Sequence, residues 1–204
     1  MNALLRQSAA AIRVLLVFTV LLGLAYPLGV WLVSRIPGLQ ATAEGSVISH
    51  NGHPVGSALI GIDPVFTGPP VADPWFHNRP SATHPGPGVL GPGDASTSGG
   101  SNLGAFNPEL VQAVTARKAA VAKREGVAPS AVPADAVTAS GSGLDPAISP
   151  AYAELQAGRV ARNNHLSPQR VHRLIAANTG TAGIGVPGVN VLELNLAVRQ
   201  AAGR

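Results

Sequence analysis

The chain of 204 residues contains no cysteine. Disulfides, cysteine-based zinc sites and thiol catalysis are therefore excluded, while the compartment stays open, because many exported domains also lack cysteine. Aromatic residues amount to only 4%, so a core has to be assembled from Val, Leu, Ile and Ala. No segment recurs with a period of roughly 20 to 50 residues, which argues against a solenoid or a propeller. Charge is sparse as well. The net charge of +4 raises the question of nucleic acid, but Arg6, Arg13 and Arg35 hold three of the fourteen basic residues and all ten acidic residues lie beyond Arg35. The chain beyond Arg35 is close to neutral, and nucleic acid is not an expected partner.

Catalytic signatures are also missing. There is no Walker A sequence and no Asp-Lys-Thr-Gly-Thr loop, so neither route to ATP hydrolysis is open to the chain itself. Ser140-Gly141-Ser142-Gly143 invites comparison with a Gly-x-Ser-x-Gly nucleophile turn, yet Ser142 has Ser140 and Leu144 where glycines are required. A tight turn extended by Asp145-Pro146 is the reading adopted. The alternative is a membrane-anchored extracytoplasmic hydrolase using Ser140 or Ser142 with a histidine. Of the six histidines, His50 and His53 flank a turn, His77 and His84 fall in a Pro/Gly-rich stretch with no obvious carboxylate cluster, and His165 and His172 flank a helix start as surface residues. No metal ligand, no catalytic residue and no cofactor-binding residue is assigned. Ser98-Gly99-Gly100-Ser101-Asn102-Leu103-Gly104 has two readings, a nest of N–H groups for an anion or a crossover between loops; the crossover is favoured.

What the chain does have is one long apolar run. Val14 to Ser34 is 21 residues without a charge, bracketed by Arg13 and Arg35, and about 20 such residues span a bilayer core as a helix. Pro27 predicts a kink within it. Tyr26 and Trp31 lie toward the far end, where amphipathic rings favour the interface. Arg6, Arg13 and the terminal amine on one side, against Arg35 alone on the other, place residues 1–13 in the cytoplasm and 35–204 outside it. The competing reading is a cleaved signal ending at Ala41-Thr42-Ala43, but the apolar run exceeds an ordinary signal core and that tripeptide lies well beyond it.

In the remainder, Ser46-Val47-Ile48 and Ser57-Ala58-Leu59-Ile60-Gly61-Ile62 around Asn51-Gly52 predict a hairpin. Asp63 to Asn107 is rich in proline and glycine and predicts a long loop. Three helix starts share a capping residue followed by proline: Asn107-Pro108, Ser149-Pro150 and Ser167-Pro168. They predict helices over Pro108 to Glu125, Pro150 to Asn163 and Pro168 to Asn178, with their basic residues on solvated faces. The alternation in Val189-Asn190-Val191-Leu192-Glu193-Leu194-Asn195-Leu196 predicts a half-buried strand. The expected fold class is α+β: one transmembrane helix and one mixed extracytoplasmic domain.

Five segments, taken in order, resemble one family: Gly56-Ser57-Ala58-Leu59-Ile60-Gly61, Trp75-Phe76-His77-Asn78-Arg79-Pro80-Ser81-Ala82, Ser98-Gly99-Gly100-Ser101-Asn102-Leu103, Thr138-Ala139-Ser140-Gly141-Ser142-Gly143-Leu144-Asp145 and Val189-Asn190-Val191-Leu192-Glu193-Leu194-Asn195. They resemble the C subunit of the bacterial Kdp potassium-transporting ATPase. Gln156, Arg159-Val160-Ala161 and Tyr26-Pro27 fit the same pattern. The family usually carries glutamine directly after the Leu-Ile-Gly run, where this chain has Ile62 and Asp63, and more often tyrosine in place of Trp75. The resemblance implies a non-catalytic accessory subunit in the cell membrane, with a channel-like potassium-translocating subunit and a P-type ATPase subunit as partners and lipid around its helix. It also implies support of assembly and a raised ATP affinity of the P-type subunit, with ATP entering through the complex; a separate reading of the residues makes the chain a nucleotide-binding regulator with Arg79 or the 98–104 loop as anion contacts. No cofactor of its own is expected.

Overall fold

The computed structural model describes residues 2–84, 89–91, 93–182 and 185–203. The chain divides into two compact units, Met1–Val47 and Ile48–Arg204, which are described separately.

The first unit is dominated by a helix running over Ala3–Ser34, 32 residues with a mean hydropathy of 2.2 in its most apolar window and none of that window buried. It is long and apolar enough to cross a membrane. Three pieces make it up: α1 (Asn2–Val20), one π-helical turn (Leu21–Ala25) and α2 (Tyr26–Ser34). The π turn has a cause in the sequence. Pro27 lacks an N–H, and its ring collides with the carbonyl four residues earlier, at Gly23, in a regular helix. Widening the turn over Leu21–Ala25 moves that carbonyl aside without breaking the helix. The expected disturbance at Pro27 thus takes the form of a π bulge just before it. Beyond the helix, Arg35 lies over the Trp31 ring and pairs with Glu44 at 2.6 Å, next to a short α3 (Gln40–Ala43).

The second unit is mixed. β1 (Val47–His50) and β2 (His53–Ser57) form a two-stranded sheet. Asn51 and Gly52 both have positive φ, which the hairpin turn demands and which these two residues supply at low cost. The second strand is displaced from the expected run Ser57–Ile62: it occupies His53–Ser57 and ends where that run begins, because Ser57 Oγ accepts from the Leu59 N–H and the chain turns there.

α4 (Pro108–Glu125), α5 (Pro150–Asn163) and α6 (Pro168–Ala177) start where the capping residues place them. Asn107 Oδ1 accepts from the Glu109 N–H at 2.8 Å, Ser149 Oγ from Tyr152 at 3.0 Å and Ser167 Oγ from Arg170 at 3.2 Å, each satisfying a donor left open at a helix start. Gly126, at φ 71°, closes α4 in the left-handed conformation.

A second sheet has the order β3-β5-β4, antiparallel throughout, with β3 (Ala147–Ile148), β4 (Thr179–Ala182) and β5 (Val186–Asn190). Val189 faces Thr179 on one side and Ile148 on the other. The strand expected over 189–196 is corrected here: β5 stops at Asn190 and α7 (Val191–Ala201) begins at once. Asn190 caps it by accepting from the Glu193 N–H, and the buried set Val191, Leu194, Asn195 and Val198 follows helical spacing. The alternation of Leu192, Leu194 and Leu196 was a short coincidence within a 3.6-residue period.

The core joins α4 to α7 and the second sheet, and it is aliphatic, with Phe76 and Tyr152 as its aromatic members. Phe76 reaches it from an extended stretch. Between Ser57 and Pro108 the only helix or strand among the described residues is a 3-10 turn at Pro70–Ala72, yet Asp73, Phe76, His77 and Ser81 are buried.

Candidate functional site

The extended stretch around Phe76 has no neighbouring strand, so its backbone groups need other partners. Two side-chain amides supply them. Asn195 of α7 accepts from the Phe76 N–H at 2.8 Å and donates to the Phe76 carbonyl at 2.9 Å. Gln156 of α5 accepts from the His77 N–H at 2.9 Å and donates to the His77 carbonyl at 3.1 Å. Each amide imitates a strand partner for one residue and fixes the segment between two helices.

A buried chain of charges runs beneath it. His77 is 6% exposed, and its Nδ1 lies 3.1 Å from Asp63 and its Nε2 2.9 Å from Asp73. Arg159, only 1% exposed, donates to the backbone carbonyls of Asp73 and Trp75 and, through Nε, to Glu125 at 2.9 Å. Glu125 also accepts from Arg124 at 2.7 Å, whose guanidinium continues to the Tyr152 hydroxyl at 2.8 Å. Burial alone would strip the charge from these groups. Burial disfavours charged His77, but the negative charge and hydrogen bond of Asp63, with the hydrogen bond of Asp73, outweigh it and raise the imidazole above its ordinary value. Burial likewise works against ionised Asp73, and His77, the Trp75 N–H and Arg159 together hold it below the usual carboxylate value. Burial raises the Tyr152 phenol, which Arg124 only partly offsets.

Two sequence expectations are corrected by this network. His77 does have carboxylates beside it, contributed by Asp63 and Asp73; they sit on opposite nitrogens of the ring and share no point where a metal could sit. Arg124 and Arg159 are not on solvated faces, since both are matched by Glu125 inside the core. Sequence reasoning passed over Asp63, Asp73, Glu125 and Asn195. A usable signal existed for α5: Gln156 and Arg159 fall among buried Ala153, Ala157 and Val160, and polar residues on an apolar stripe mark buried partners. Asp63 was marked only as a departure from the family pattern, with no sign of a buried partner.

Above this network the five family-like segments meet. Gly61 N–H donates to the Leu144 carbonyl at 2.8 Å, Gly99 N–H to Ser142 at 2.7 Å and Ser140 N–H to Pro80 at 2.8 Å. Asn190 Nδ2 donates to the Ala58 carbonyl at 3.0 Å, and Arg79 pairs with Asp145 at 3.0 Å. The glycines allow this closeness: a methyl group on Gly61 would overlap the Asp145 carbonyl, one on Gly100 would stand 2.8 Å from the Gly141 carbonyl, and Gly143 is held at φ 75°. Beside them lies a groove of about 680 Å³ whose walls include Leu59, Arg79, Asp145, Ile148, Val186 and Glu193.

The candidate residues have defined places here. Ser140 Oγ accepts from the Gly143 N–H and lies 3.2 Å from Ser142 Oγ, and Ser142 Oγ donates to Asp145 at 3.3 Å. Both hydroxyls brace a turn, and Ser140 is buried. The Gly99 N–H, part of the supposed anion nest, is spent on Ser142, so the 98–104 segment crosses another loop as favoured. Arg79 is engaged by Asp145 and the Thr138 carbonyl. His165 and His172 are exposed, and His172 pairs with Glu154.

The convergence of in-order segments on one face is the mark of a shared family fold, and a family model described as "K+-transporting ATPase, c chain" matches residues 8–200. The chain belongs to the KdpC family. Similar proteins include the potassium-transporting ATPase KdpC subunit of Kineococcus radiotolerans, 48% identical over 98% of this chain and 96% of the relative. That of Beijerinckia indica is 47% identical over 90% and 88%, and that of Mycobacterium tuberculosis 45% over 95% and 97%. The KdpC match spans the apolar helix and the mixed unit alike. The KdpC-like Gln156 and Arg159 are thereby explained in physical terms: they hold the Trp75-Phe76-His77 segment in place.

Proposed function

We propose that this chain is a non-catalytic accessory subunit of an ATP-driven, high-affinity potassium import complex. In this reading the helix of residues 14–34 crosses the cell membrane with residues 1–13 in the cytoplasm, and residues 35–204 form the extracytoplasmic domain. The helix packs against the channel-like potassium-translocating subunit, and the complex also holds a P-type ATPase subunit. The observation that carries the proposal is the extent of the family match, from within the apolar helix to within α7. Anchor and domain are matched together, as a subunit inserted beside others requires.

The same reading makes any effect on ATP affinity indirect, exerted on the P-type subunit through the assembly. Its support is topological: the Arg asymmetry puts residues 35–204 on the side opposite to ATP, and Arg79 and the Gly99 N–H already have partners within the chain.

Deletion of this chain, with the other subunits expressed, is expected to abolish stable assembly and growth at limiting potassium. Normal assembly and transport in its absence would refute the proposal.

A further inference from the structure

We propose that the His77 ring is a pH-operated latch: as the doubly protonated imidazolium it ties both ends of the Asp63–Asp73 loop to the domain, and as the neutral ring it releases one of them. The inference is independent of the proposed transport role.

The geometry requires two donors on the ring. Nδ1 is 3.2 and 3.1 Å from the two oxygens of Asp63, and Nε2 is 2.9 Å from Asp73 Oδ2. Ionised carboxylates only accept. A neutral imidazole has a single N–H, so one aspartate would then face a ring lone pair. Neither aspartate can turn to water, since both carboxylates and the ring are less than a tenth exposed.

Other groups near the ring set the balance without supplying a second donor. Arg124 of α4 opposes the positive ring but is neutralised by Glu125 and bonded to Tyr152. Arg159 of α5 lies behind Asp73, 3.6 Å from Oδ1, and is itself bound to Glu125. Lys123 and His84 line a groove that also has Asp63, Asp73 and His77 in its walls. Asp73 keeps its Trp75 N–H and Arg159 when the ring loses its proton, whereas among the described residues Asp63 keeps only the Asn78 N–H at 2.8 Å. Asp63 is the end that lets go.

The loop between the aspartates is built to move when that happens. None of residues 64–72 is buried, and Val65 and Val71 are 72% and 56% exposed. It forms one wall of a groove of about 530 Å³, with Val65, Phe66 and Pro70 facing Ala120 and Lys123 of α4. Release of Asp63 opens that wall.

The test is amide hydrogen exchange of the full-length chain in detergent at about pH 6 and about pH 9, with times scaled for the chemical dependence of exchange on pH. Peptides covering 62–78 are expected to exchange on the order of tenfold faster at the higher pH, the loss of a charge-assisted hydrogen bond, while 166–177 stays unchanged. Asp63→Asn should remove the response and keep the fold: its amide oxygen still accepts from Asn78, and its N–H can donate to the neutral ring. Asp73→Asn applies the same logic from the other nitrogen and serves if the first variant fails to fold. A native chain with no response in 62–78, a response equally large in 166–177, or one that survives in the Asn variants overturns the latch.

Discussion

Glu125 joins Arg124 to Arg159 with its side chain fully buried, and its removal would leave the Arg124 guanidinium without a counter-charge and Arg159 with Asp73 alone, 3.6 Å away. Breaking a buried pair from one side costs about 3–5 kcal/mol, because the remaining charge is neither hydrated nor matched. Glu125→Ala is therefore expected to lower the unfolding free energy by about that amount in denaturant titrations, and a loss under about 1 kcal/mol would show that the guanidiniums find water or other partners. The titration of the network gives a second expectation at this scale. His77 is raised above 6.5, so the stability it contributes is complete below pH 6.5 and is lost as pH rises through the raised value. Asp73 is lowered below 3.8, so its contribution is present above pH 3.8 and is lost as pH falls through the lowered value. Thermal melts of the full chain across pH should show a plateau falling on both flanks. His77→Gln should flatten the alkaline flank and also shrink the acid one, because His77 leads the groups that hold Asp73 down.

At the scale of elements, the start of α7 depends on one side chain. Asn190 accepts from the Glu193 N–H and also donates to Ala58, linking the helix start to the turn after β2. Asn190→Ala should cost about 1 kcal/mol for the lost cap, with a further loss for the part-buried carbonyl of Ala58. Asn190→Asp, which can still cap but cannot donate to Ala58, should recover part of the loss; equal stability of the two variants would assign the whole effect to the lost bond with Ala58. Gly61 is a steric requirement of another kind, since a methyl group there meets the backbone of Asp145 and not a side chain that could swing away. Gly61→Ala is expected to destabilise by about 1–3 kcal/mol, as overpacking does, with the exchange of the Gly61–Leu144 hydrogen bond accelerated. These elements also show how far local sequence reaches. Three helix starts were legible because a capping side chain and a proline act within one turn. The α7 start carried the same kind of signal in Asn190 and Glu193, but the leucine alternation beside it gave the wrong period. In the helix the three leucines split, since residues two apart lie about 200° around the axis: Leu194 is buried, and Leu192 and Leu196 are half-buried.

For the molecule as a whole, the decisive question is which side of the membrane the mixed unit occupies. Since the chain has no cysteine, a single Ala120→Cys on α4 gives a unique label site. In intact cells it should react with a membrane-impermeant maleimide from outside. Labelling only after the membrane is opened would reverse the orientation and remove the topological objection to a direct ATP contact. The 32-residue helix has no covering surface within its own window. A lipid tail is as apolar as a leucine, so packing against a partner has to come from shape and small residues such as Gly23 and Gly29, which leave open space around them.

The sequence by itself determined the apolar helix, the absence of thiol chemistry, the helix starts and the family, because each of these rests on composition or on neighbours a few residues apart. Only the tertiary structure decided that Arg124 and Arg159 are core residues, that His77 stands between two aspartates and that Gln156 and Asn195 act as strand partners. Those facts rest on groups such as Phe76 and Asn195, 119 positions apart. A buried charge and a solvated one are spelled with the same residue; the difference lies in which distant counter-charge the fold brings within about 3 Å and whether water is excluded there.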